Sequence, residues 1–72
     1  MKNINLYQLE NHRVKITLKN GNTYYGDVLL VLSPEDTTEG EVCVNIEVKN
    51  KHGSYAGYAI YESEIQSVEV LD

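Results

Sequence analysis

From Arg13 onward the apolar residues fall on every second position, with Val14, Ile16 and Leu18 on one side and Arg13, Lys15, Thr17 and Lys19 on the other. A period of two is that of a strand with one buried face and one wet face. Asn20-Gly21 follows at once, and these two residues adopt the positive φ of a tight hairpin turn at low cost. A second run, Thr23 to Leu32, completes an antiparallel hairpin. The first half of the chain is thereby committed to a sheet, and the rest has to supply the strands that bury its apolar face.

The second strand begins with alternating character and ends in Val28-Leu29-Leu30-Val31-Leu32, apolar on both faces. Gly26 stands at the change, where the lack of a Cβ permits a bend that lets one strand serve two sheets. The outward side of the later half is then expected to be covered by an N-terminal helix or by a neighbouring subunit. Ser33 to Glu41 reads as a loop from its turn residues and polarity. After it Val42, Val44, Ile46 and Val48 alternate with Cys43, Asn45 and Glu47. The predicted strands cover about 13–19, 23–32, 42–48, 55–60 and 65–71, with Val68 and Val70 facing inward in the last. Before them, Ile4, Leu6, Tyr7 and Leu9 suit one face of a short helix over about 4–10, capped by Asn3 or Asn5.

Seventy-two residues make one domain. A domain of that size buries only about 60% of the surface its unfolded chain exposes, so association would help it. Cys43 is the only cysteine, which rules out an intrachain disulfide as a staple and suits a small apolar role in a reducing compartment. Met1 to Asn5 lacks the apolar run of a secretory signal, and a cytoplasmic location is expected. A net charge of −5 argues against general nucleic-acid binding, which draws its affinity from cations on phosphates. The charge is uneven: Lys2, Arg13, Lys15 and Lys19 sit in the first 26 residues, whereas Glu35, Asp36, Glu39 and Glu41 crowd residues 33–41 without a cation. Opposite potentials at two ends of a fold steer partners.

Leu18-Lys19-Asn20-Gly21, the aromatic pair Tyr24-Tyr25, Gly26 followed by apolar residues, and a terminal Ile60 … Ile65-x-x-Val68-x-Val70 together resemble the two sequence boxes of the Sm-like family. The resemblance covers roughly residues 6–71. It is nearest to short Sm-like proteins of Gram-positive bacteria and their phages, which share the Ser-Pro-Glu-Asp loop and the Tyr-Glu-Ser-Glu-Ile ending. It implies an all-β fold: a five-stranded, strongly bent SH3-like or Sm-like barrel with a short N-terminal helix. It further implies a non-enzymatic binding and assembly module that forms homo-oligomers through its edge strands, the fourth strand of one copy on the fifth of the next.

In RNA-binding members of that family, an Asp and an Asn between the second and third strands and an Arg-Gly or Lys-Gly pair before the last strand build a base pocket. Here the first connection is the acidic Ser33–Glu41 loop and the second position reads Tyr61-Glu62. Glu35, Asp36, Glu39, Glu41, Glu62 and Glu64 would gather where phosphate should sit, and like charge suppresses such a partner by up to several kcal/mol, on the order of what complementary charge supplies. RNA or a nucleotide is therefore expected to bind weakly, with Tyr61 the first candidate for stacking. The alternative is an acidic adaptor or nucleic-acid mimic that uses the same carboxylates on a basic protein surface. Lys49, Lys51 and His52 form a small basic surface, the bland reading of which is surface decoration. The other tyrosines read as packing residues of a sheet. His12 and His52 lack a ligand-spaced partner, the carboxylates lack the spacing of a calcium loop, and no nucleophile, phosphate loop or buried carboxylate pair appears. An enzyme, a resident metal or a cofactor is not expected.

Overall fold

The computed structural model describes residues 5–72. The Asn20-Gly21 hairpin joins β1 (Arg13–Leu18) to β2 (Thr23–Leu32). Gly21 takes φ +94°, its amide donates to Leu18 O at 3.0 Å, and Asn20 Oδ1 accepts from the Asn22 amide at 2.9 Å. β3 (Cys43–Lys49), β4 (Tyr55–Tyr61) and β5 (Ile65–Val70) complete one antiparallel sheet in the spatial order β4-β3-β2-β1-β5. The chain is all-β, as expected, but β4 and β5 stand at opposite edges and share no ladder, so the sheet does not close into a barrel.

The alternating residues meet on one face. Val14, Ile16, Val28, Val31, Val44, Ile46, Ile60 and Ile65 are buried in a single cluster with Leu6, Leu9 and Leu18. Because all five strands feed that cluster, the sheet has to coil around it, and each buried Val, Leu or Ile contributes about 1.5–3 kcal/mol. Val68 packs against the cluster as expected. Val70 does not: it is 47% exposed, standing in the last ladder pair of the edge strand although its partner Val14 is fully buried.

Two expectations about the N-terminal half are corrected. No α-helix forms over 5–10; Leu6–Leu9 makes one 3-10 turn there, and Ile4 lies outside the described residues. A segment this short has too few backbone hydrogen bonds to offset helix nucleation, and packing of Leu6 and Leu9 holds it instead. Asn5 does cap it, its Oδ1 accepting from the Tyr7 amide at 3.0 Å. β2 carries an irregularity beyond Gly26, at Leu29, where the pairing with β3 slips between Val28 and Leu30. A bulge adds a residue, so Val28 and Val31 both point inward three positions apart, while Leu29 and Leu30 both face solvent at 54% and 46% exposure. Neither the turn nor another element covers them. The bulge is held from the N-terminal side, where the Glu10 carboxylate accepts from the Val31 amide at 2.8 Å and the Asn11 amide donates to Val28 O at 2.8 Å. Among the described residues no helix is long and apolar enough to cross a membrane.

Candidate functional site

Residues 33–42 leave β2 through a 3-10 turn, Pro34–Asp36, and return to β3, while Glu62–Glu64 forms a second 3-10 turn between β4 and β5. The Cys43–Tyr61 pair of the β3–β4 ladder brings the two connections together, and the Glu62 amide donates to Val42 O at 2.9 Å. The structure thus assembles Glu39, Glu41, Tyr61, Glu62 and Glu64 at one end of β4. Glu35 and Asp36 lie further along the first connection, exposed, with Asp36 Oδ2 accepting from Ser33 Oγ at 3.0 Å.

Most of these carboxylates have structural work. Glu41 Oε1 accepts from the Ser63 amide at 2.9 Å and Glu64 Oε1 accepts from the Tyr61 amide at 3.0 Å, which satisfies two donors of the second turn. Interaction between the Tyr61 hydroxyl and the Glu39 carboxylate holds Glu39 below its ordinary pKa and pushes Tyr61 up to about 12. Thr38 Oγ1 adds a hydrogen bond to Glu39 at 2.9 Å. Cys43, 3% exposed, has its thiol pKa raised first by burial and then by the charges of Glu39, Glu64 and Glu41, so the thiolate is disfavoured there. Among the described residues the ion pairs are His12–Asp72 and Arg13–Asp27, both away from this end, which a cation adjoins at Lys19, whose amide donates to Glu64 O at 2.9 Å. Nor do any three His, Cys, Asp or Glu side chains among the described residues converge to hold a metal ion.

This arrangement gives Tyr61 a measurable signature. The folded chain favours its neutral phenol, so that contribution to stability is complete below the ordinary value of 10 and is lost as pH rises through about 12. Spectroscopic titration of the phenols is expected to show a step near 12 in the wild type that Tyr61→Phe lacks; the same step in both proteins would place the Glu39 contact elsewhere.

The basic residues are distributed differently from the sequence reading. Lys51 and His52 lie exposed in the β3–β4 turn, whose shape comes from Asn50 Oδ1 accepting from the His52 and Ser54 amides at 2.9 and 3.0 Å and from Gly53 at φ +84°. Lys49 instead lines a shallow groove of about 250 Å³ on the outer face with Arg13, Tyr25, Asp27, Glu47 and Tyr55. Two cations against two carboxylates make the groove close to neutral, and Arg13 Nε already donates to Asp27 Oδ1 at 3.2 Å. Lys15 Nζ lies 5.8 Å from the Tyr25 ring. On the inner face the Tyr24 and Tyr58 rings meet tilted at 41°, with centroids 4.9 Å apart. The groove was not anticipated from sequence, although parity offered a signal: Lys15, Tyr25, Lys49 and Tyr55 all occupy outward positions of their strands. What no parity could show is that coiling brings Arg13 of β1 within electrostatic reach of Tyr55 of β4.

No family model, no curated protein and no solved structure matches this chain.

Proposed function

We propose that this chain is a non-enzymatic, Sm-like binding and assembly module whose working surfaces are the two free edges of its sheet, with β4 of one copy pairing with β5 of the next. The supporting observation is that β4 and β5 end the sheet on opposite sides, each with a row of backbone donors and acceptors turned to solvent. A head-to-tail contact of two different edges can propagate into a ring. The altered acidic end does not favour RNA: the stacking candidate, Tyr61, has its hydroxyl beside the Glu39 carboxylate, and among the described residues no cation forms an ion pair with the neighbouring glutamates. Light scattering at tens of micromolar, roughly the range of weak interfaces, is expected to return a dimer or a larger species. A monomer would remove the self-assembly half of the proposal.

A second reading, an acidic adaptor for a basic protein surface, is favoured by one observation. The carboxylates Glu39, Glu41, Glu62 and Glu64 stand at the end of an open strand edge, where a docking segment would meet them.

A further inference from the structure

Natural sheet edges are usually blunted by charged side chains, proline or bulges. β4 has none of these. Tyr55-Ala-Gly-Tyr-Ala-Ile-Tyr61 is uncharged, and its register with β3 runs unbroken from Lys49–Tyr55 to Cys43–Tyr61. The Glu62 amide donates to Val42 O and the Asn50 amide to Ser54 O, at the two ends of that ladder. Bonded and non-bonded pairs alternate in an antiparallel ladder. The main-chain groups of Ala56, Tyr58 and Ile60 therefore point to β3, and those of Tyr55, Gly57, Ala59 and Tyr61 point to the free edge. Glu64 takes the Tyr61 amide. Tyr55, Gly57 and Ala59 keep three donors and three acceptors open to a new strand.

The surroundings of this edge are polarised. Lys49 is paired with Tyr55 at one end, and Lys51 lies exposed in the adjoining turn. At the other end stand Glu39, Glu41, Glu62 and Glu64. Between them Gly57 leaves open space where a side chain would be, with nothing within 4 Å of a Cβ built there. An edge glycine of this kind accepts a large side chain from the neighbouring strand. The β5 strand of a second copy is a poor match for this polarity: laid antiparallel on β4, it brings its own Glu62 and Glu64 to the carboxylates beside Tyr61.

We propose that the free edge of β4 is a strand-addition site for an extended segment of a partner protein, running antiparallel to it, with basic residues at the segment's amino end, a bulky apolar residue over Gly57 and acidic residues at its carboxyl end by Lys49. The inference rests on the edges being the working surfaces of the module, but it assigns the β4 edge to a partner segment in place of β5 of a second copy, so the two occupants compete for that edge.

A labelled synthetic peptide long enough to span the seven residues of β4 tests it. The peptide carries lysines at its amino end, a central phenylalanine within alternating valine and threonine, and glutamates at its carboxyl end; the control exchanges the lysines with the glutamates. Fluorescence anisotropy is run with protein diluted until light scattering reads a monomer. The lysine-first peptide is expected to bind roughly tenfold tighter than the control, the ratio that corresponds to about 1.4 kcal/mol of favourable charge contacts. Ala59→Pro removes an edge donor without removing a bond to β3, and should abolish binding while leaving the thermal melt in place. Peptide N-methylated on the amides facing β4 should fail in the same way, without any change to the protein. Equal binding of the two peptides, or binding that survives either Ala59→Pro or N-methylation, would overturn the proposal. A self-associated protein that Ala59→Pro dissociates, but that binds neither peptide, would also overturn it and would leave self-assembly standing. A monomer that binds the lysine-first peptide would do the reverse.

Discussion

Gly26→Val is expected to lower the melting temperature by roughly 10–20 °C, at about 4–8 °C per kcal/mol for a domain of this size. Gly26 pairs with Val14 on the inward face of β2, where the coil of the sheet is tight. A Cβ at this position would drive into the backbone carbonyl of Glu47 and come within 3.0 Å of Ile46 Cγ1. A flexible side chain could yield, but a carbonyl in the β2–β3 ladder cannot move without breaking pairing, which places the cost near about 3 kcal/mol, the upper end of the usual overpacking range. The cause is close approach and not dihedral strain, since positive φ occurs at Gly21, Gly40 and Gly53 but not here. Gly26→Ala should therefore cost nearly as much as Gly26→Val. An alanine variant that melts with the wild type would show that the two strands do not approach so closely.

Ile46→Ala is expected to cost about 3–4 kcal/mol, read from urea unfolding as a loss of midpoint with unchanged slope. Ile46 is 1% exposed at the centre of β3, between Val28 on β2 and Tyr58 on β4. Its neighbours belong to three strands held by their own ladders, so the cavity cannot collapse. A domain of 72 residues has about 4–11 kcal/mol of total stability, and the variant would lose a large share of it. A loss below about 1 kcal/mol, typical of an exposed site, would mean that the sheet does not coil around this residue.

How far the sequence reaches can be judged at particular residues. Val14, Ile16 and Leu18, the Asn20-Gly21 turn, and the alternation through Val44 and Ile46 are local signals. The period and the turn geometry are properties of neighbouring residues, and strand positions follow from them. The Asn5 cap is of the same kind. The helix expectation failed because Leu6 and Leu9 are compatible with any short turn that delivers both to a core. The bulge at Leu29 was equally hidden: an apolar run has no parity of its own, and only the Glu10 carboxylate and Asn11 amide docking on β2 select which residues face out.

The acidic end was legible as composition, since Glu39, Glu41, Glu62 and Glu64 are visible in the chain. That two connections some twenty residues apart share hydrogen bonds required the Cys43–Tyr61 register, and with it came the pairing of Tyr61 with Glu39. The Arg13, Tyr25 and Tyr55 groove and the open edge of β4 depend on strand order and on how the sheet coils, and neither is written in a local period. Short-range preferences thus determined which segments are strands and where they turn. The tertiary structure decided which backbone groups remain unpaired, because that is settled only when the last strand takes its place beside β1 and leaves β4 without a second neighbour.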